Sequence, residues 1–350
     1  FTAYGRNSLT GRTRTAPSGQ QASHLRFGIV SCSNYPAGFF NAYNTLTRRE
    51  HILTNIIQRY LSPVWEVTNV FLVFFFVGVI GFFPKTAFYY GTTLLVPASI
   101  AIILLALRGS YYAFATYGTN GHKGYTFMYG ITGLFIPASL STVLTISEGG
   151  FISMVNGNPV LDYWALFTSP LTWSIVVLSI VAVLYISAVF LTWYANKAGD
   201  QSATELLRKY ALIWALPTMV TAAGIIFELR GHNPEHYNRI LDLWWVFGLS
   251  FLLFVGTVWM IWNRQKYGLA FGLLAGQFAL AFFGYGISHY PFLLYPYLTI
   301  YDSFTNEAMA IALIVAFIAG LGLLLPSLYL LLRLFLFNKD YVSGKKDNHA

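Results

Sequence analysis

From residue 64 to near residue 336 the chain repeats one pattern, a long apolar run followed by a short polar or basic punctuation. The runs fall at 64–83, 91–117, 125–147, 170–196, 207–228, 240–262, 268–288 and 306–336. A helix crossing about 30 Å of hydrocarbon needs about 20 residues, so every run is long enough to span a bilayer. All are too long for strands, and no ten-residue alternation suggests an outer-membrane barrel. The pattern predicts an all-α polytopic membrane protein, a helical bundle of eight transmembrane helices. A weaker apolar stretch at 25–44 is interrupted by Ser31, Ser33, Asn34 and Pro36 and reads either as a ninth span or as a surface segment. The expected organisation is an atypical, partly flexible N-terminal segment (1–45), a transmembrane domain (46–338) and a polar cytoplasmic tail (339–350).

Composition narrows the class without naming an activity. Of 350 residues, 56% are hydrophobic and 10% charged, and the mean hydropathy is +0.57. Soluble domains carry about 25% charged residues, so this is no water-soluble protein. The net charge of +8 is not gathered into a basic stripe, which argues for lipid and against nucleic acid. Instead the basic residues sort by side. Arg48, Arg49, Arg59, Lys123, Lys197, Arg208, Lys209, Arg264, Lys266, Arg333, Lys339, Lys345 and Lys346 fall on one side of the eight-span topology, thirteen in all. Only Lys85, Arg230 and Arg239 fall on the other. The positive-inside rule then predicts a cytoplasmic C-terminus. The single cysteine, Cys32, excludes an internal disulfide framework, a Cys-rich zinc site and a Cys-ligated iron–sulfur cluster.

Inside the spans, packing signals and rare charges stand out. LLVPASI at 94–100 and LFIPASL at 134–140 place a proline inside each of two spans, as Pro217 does in a third, and such prolines kink membrane helices. Gly268, Gly272 and Gly276 form a row suited to close helix approach. Arg108, in LLALRGSYYAF, lies well within the second span. Glu66 lies in the first turn of the first span, and antiparallel neighbours allow the two to pair. Two readings stand for them: a proton path or buried polar site, and a snorkelling Arg or structural pair. Glu148 and Glu228, at outer span ends, are expected to be solvated.

The two longest outer loops, 148–169 and 289–305, contain no Lys or Arg. Tyr290, Tyr295, Tyr297 and Tyr301 read as an interfacial belt or as a loop contacting quinone or a partner. A transmembrane haem needs ligands at membrane depth. His24 and His51 precede the spans, His122, His232 and His236 fall in loops, and His349 is in the tail. Only His289 comes near the membrane, at a span end, and Pro234 argues against one helix carrying both His232 and His236. No Walker loop, GxGxxG, GxSxG or HExxH motif is present.

Residues 38–338 resemble subunit II of cytochrome bd-type quinol oxidases. The likeness rests on GFFNAYNTLTRREHILTNIIQRYLSPVWEVTNVF at 38–71, LRGSYYAF at 107–114 and TGLFIPASLSTVLTISEGGFI at 132–152, with helix order and length. The resemblance implies a haem-free subunit of a quinol:O2 oxidoreductase in the bacterial cytoplasmic membrane. Its partner, subunit I, would carry the b- and d-type haems and the quinol site, with room for a small single-span third subunit. No cofactor is expected on this chain, except that some members hold a quinone. Trp65, Glu66, Asn69 and Arg108 are the positions the resemblance carries over for a proton or O2 path. The family's first span is not recognisable here, and Asn34 falls where the family has an Asp, so a proton route through that position lacks its carboxylate. In its place, GRTRTAPS at 11–18 and LRFGIVSCSNYPAGFFNAY at 25–43 are similar to the start of the catalytic domain in PhoD-like alkaline phosphatases. There the cysteine corresponding to Cys32 is an iron ligand. The downstream metal cluster is absent, so no phosphatase activity is expected. The alternative from another class is a secondary transporter with a buried polar site around Arg108.

Overall fold

The computed structural model describes residues 40, 77–117, 123–156, 158–303 and 305–335. After a helical stretch at 77–82 come helices α1 (Pro84–Thr93), α2 (Leu95–Tyr117) and α3 (Lys123–Ser147). A hairpin of β1 (Ile152–Val155) and β2 (Asn158–Leu161) and the short α4 (Tyr163–Thr168) lead into α5 (Pro170–Ala198) and α6 (Gln201–His232). Then follow α7 (Pro234–Asp242), α8 (Trp244–Trp262) and α9 (Tyr267–His289). A second hairpin, β3 (Phe292–Leu294) and β4 (Leu298–Thr299), the single turn α10 (Ile300–Ser303) and α11 (Glu307–Phe335) complete the described chain.

Six of these helices, α3, α5, α6, α8, α9 and α11, contain stretches long and apolar enough to cross a membrane. The pair α1–α2 would make a seventh span, bent by 79°. The run expected at 91–117 is thus bent just before Pro97, one of the prolines expected to kink its helix. A proline ring clashes with the carbonyl four residues back, here that of Thr93, the last residue of α1. Pro97 therefore occupies the first turn of α2, where its missing N–H costs nothing, and not a helix interior. Pro137 and Pro217 do lie inside α3 and α6 as expected. Of the span expected at 64–83, only 77–82 is described. Its glycines meet α11 closely: a Cβ on Gly78 would lie 3.2 Å from Phe317, and one on Gly81 3.2 Å from Leu313.

The centre of the bundle is the α5–α6 hairpin. Gly199, at φ +79°, closes α5 in the left-handed conformation that glycine adopts without strain. The adjacent Asp200 caps α6 by accepting from the Ala203 N–H at 3.0 Å. Ala203, Leu207, Ala211 and Ala215 recur every four residues and so share one face of α6. They pack with Ala188, Leu191 and Ala195 of α5, and Ile261, Ala270 and Leu274 join from α8 and α9. Phe40 enters this core and stacks on Tyr210 at 5.2 Å. The glycine row of α9 divides between neighbours. Gly268 faces Trp193 of α5, Gly276 faces Leu253 of α8, and Gly272 faces nothing within 4 Å.

The outside of α8 is apolar and exposed, with Trp244 and Trp245 at one end and Trp259 and Trp262 at the other. Nineteen helical residues cover about 28 Å, so these tryptophans sit where two membrane interfaces would be. The two hairpins are additions to the all-α reading. Val155 pairs with Asn158 across Asn156-Gly157, and Asn156 has φ +51°, the conformation that two-residue hairpin turns require.

Candidate functional site

The two ends of the bundle differ. At one end, Arg208 and Arg264 both approach Glu205, at 3.0 and 3.4 Å, joining the α5–α6 and α8–α9 turns. The other end gathers the hairpins, α7 and the C-termini of α3, α6 and α9. There Tyr297 donates to the Ile152 carbonyl at 2.8 Å, and the Tyr295 N–H donates to the Ser147 carbonyl at 2.9 Å. Two of the four loop tyrosines thus tie the loops together, while Tyr290 and Tyr301 hydrogen-bond each other at the surface.

Beneath these loops lies a buried carboxylate. Gly149 and Gly150, at φ +81° and +80°, turn the chain sharply after α3 and leave Glu148 pointing inward. Glu148 is 1% exposed, which corrects the expectation of a solvated side chain. The expectation failed because three segments far away in sequence fold over it. Asn233 breaks α6 from α7 and does two jobs there. Its Oδ1 accepts from the His236 N–H at 3.2 Å, capping α7, and its Nδ2 donates to Glu148 at 3.1 Å. Pro234 occupies the first turn of α7, so His232 and His236 belong to different helices, as the sequence implies.

Each remaining polar side chain converges on the same group. His236 Nδ1 lies 3.0 Å from both Glu148 oxygens, and its Nε2 lies 2.7 Å from Ser288 Oγ. Tyr285 donates its hydroxyl hydrogen to Glu148. His289 brings Nδ1 to 3.8 Å from Glu148, with its ring parallel to Tyr285 and edge-on to His236 at 5.0 Å. His232 stacks on Phe151 and contacts the Gly149 carbonyl at 3.0 Å. Burial alone would raise the pKa of Glu148. The hydrogen bond and positive charge of His236, with His289 and Tyr285 behind them, outweigh burial and hold it below the ordinary carboxylate value. Glu228 by contrast is half-buried and outside the cluster.

Of the positions expected to carry function, Arg108 is described and is 1% exposed within α2. An arginine snorkelling to the interface would be exposed, so this one faces protein. Trp65, Glu66 and Asn69 lie outside the described residues, as do Cys32, Asn34, the rest of 1–45 apart from Phe40, and the tail 339–350. The structure brings together a set that sequence reasoning did not assemble: Glu148, Asn233, His236, Tyr285, Ser288 and His289. The local signals were a carboxylate ahead of two glycines and an Asn-Pro break with a histidine in the next turn. What no local signal carries is that residues 85 to 137 positions apart meet.

Long apolar helices, interfacial tryptophans and basic residues segregated by end define a polytopic α-helical membrane protein. Within that class the chain belongs to the cytochrome bd terminal oxidase subunit II family, whose sequence model matches residues 34–335. It is therefore a subunit of a respiratory quinol:O2 oxidoreductase complex that also contains a subunit I and haem. The chain is 32% identical over 326 residues to the putative cytochrome bd menaquinol oxidase subunit II of Bacillus subtilis (strain 168), covering 90% of this chain and 93% of that one. It also matches a chain in the structure of bd oxidase from Geobacillus thermodenitrificans, with a TM-score of 0.76 and 65% identity over 89% of this chain and 95% of the other.

Proposed function

We propose that this chain is the haem-free scaffold of its oxidase, with quinol oxidation and O2 reduction to water carried out in subunit I on b- and d-type haems. The observation that supports this reading is where the histidines lie. Among the described residues, His232 ends α6, His236 is in the first turn of α7 and His289 ends α9. All three gather at one end of the bundle around Glu148, and none projects from mid-helix, where a transmembrane haem would take its axial ligands. The cluster of Arg208, Arg264 and Glu205 at the opposite end supports assigning that end, and the C-terminus, to the cytoplasm of a bacterial cell. Eight transmembrane helices then follow if 64–83 completes the set, with 25–44 a candidate ninth. The Bacillus relative's name favours menaquinol as the quinol class.

Within this scaffold, Arg108 with Glu66, Asn69 and Trp65 would line a path for protons or O2 toward subunit I. Family membership weighs against the transporter reading of Arg108. The test of the scaffold reading is spectroscopic. Purified alone, the chain should show no haem Soret band, and co-purified with subunit I it should bring b- and d-type spectra. A haem-bearing isolated chain would overturn it. For the path, Glu66→Gln should lower O2 turnover while haem content stays at the wild-type level, and Arg108→Ala should lower assembly or turnover. Wild-type turnover in both variants would leave these residues without a role.

A further inference from the structure

Four side chains from two distant segments converge on Glu148. Asn233 and Tyr285 donate to it, and His236 brings Nδ1 to 3.0 Å from both of its oxygens. His289 Nδ1 lies 3.8 Å from the same carboxylate, beyond hydrogen-bond reach, and its buried Nε2 has no hydrogen-bond partner. Ser288 Oγ lies 2.7 Å from His236 Nε2, on the far side of that ring.

We propose that Glu148, His236 and His289 hold a divalent metal ion of the zinc type. A Glu148–His236 hydrogen bond accounts for one ring, whereas a shared metal accounts for both. The three ligand atoms lie within 4.8 Å of one another, and all three residues are buried. Tetrahedral zinc with bonds of about 2.0–2.1 Å separates its ligand atoms by roughly 3.3 Å. The observed separations from Glu148, 3.0 Å to His236 and 3.8 Å to His289, bracket that value. Two imidazoles and one carboxylate form a donor set that zinc favours, with the fourth position left to water. With Nδ1 on the metal, the distal nitrogen of His236 would donate to Ser288 Oγ, 2.7 Å away, the arrangement that fixes tautomer and ring orientation in zinc sites, while Asn233 and Tyr285 orient the carboxylate.

The test uses the intact detergent-solubilised oxidase complex, equilibrated with micromolar zinc sulfate, freed of excess metal and analysed by mass spectrometry against haem iron. Wild type should retain about one zinc per complex, and its zinc absorption edge should show two imidazoles at about 2.0–2.1 Å. Glu148→Gln and His236→Ala should weaken retention at least about tenfold, as loss of a zinc ligand or its orienting partner does. Because either change also removes hydrogen bonds of the buried cluster, His289→Ala is decisive. This ring comes no closer than 3.8 Å to its carboxylate, so the variant should assemble with full haem content yet lose the zinc. A wild-type complex that retains no zinc, a His289→Ala complex that retains it as well as wild type, or a zinc edge that shows no imidazole ligands would each overturn the proposal.

Discussion

The α5–α6 interface and the Glu148 cluster both hold helices together, with opposite chemistry. At the first, alanines at four-residue spacing let two backbones approach, and no polar side chain is needed. Lipid is as apolar as leucine, so close packing of small residues is what favours one helix neighbour over a lipid chain. At the second, a buried charge is surrounded by hydrogen bonds from α7 and α9. The first arrangement tolerates small slips along the helix, because alanine contacts resemble one another. The second does not, since a carboxylate left without donors in a dry interior is costly. The polar cluster is thus the part that sets the register of α3, α7 and α9.

Breaking the polar region should have the largest effect. Glu148→Ala leaves Asn233, His236 and Tyr285 without their shared acceptor, and removing one partner of a buried charged pair costs about 3–5 kcal/mol. Loss of assembled, haem-containing complex on purification is the measure. Two glycines sharpen the comparison at the next level. Gly149 and Gly199 have nearly the same positive φ, so alanine at either meets the left-handed penalty of about 1–2 kcal/mol. Only at Gly149 would the Cβ also lie 2.4 Å from the Tyr295 carbonyl, whereas nothing lies within 4 Å at Gly199. Gly149→Ala should therefore lower the thermal midpoint of the complex clearly more than Gly199→Ala.

In the apolar region the expected effects are smaller. Ala188→Leu forces added volume into a fully buried contact of α5, which costs about 1–3 kcal/mol through strain and backbone shift. A midpoint unchanged by Ala188→Leu would mean that α5 and α6 are held by something other than close packing. The smallest effect belongs to Gly272→Ala, where a Cβ meets nothing within 4 Å and the change should stay within about 0.5 kcal/mol. A large loss there would show that another chain of the complex covers this face.

How much was legible in the sequence varies with the range of the interaction that decides each feature. The runs at 170–196 and 268–288 became Pro170–Ala198 and Tyr267–His289, because length and apolarity alone settle whether a segment can bury its backbone in hydrocarbon. The bend before Pro97 was legible as a proline kink, since the clash with Thr93 is local, although its size of 79° was not. The β1–β2 pairing inside the loop 148–169 was not anticipated, because that loop was read for its charge alone. Arg108 was singled out as a charge inside a span, and it lies buried in α2. Glu148 was not, because position at a span end says nothing about what folds over it.

Read alone, the sequence carries the class of this protein, its family, the alternation of its helices and the sorting of basic residues between two ends. Those features depend on residue type and on spacing of a few positions, and water and lipid read them locally. Tertiary packing alone sets that one carboxylate, two histidines, an asparagine and a tyrosine from three segments share a single buried site. That outcome depends on how helices separated by a hundred residues rotate and slide against each other. No single segment encodes that arrangement, since it is fixed jointly by all of their contacts.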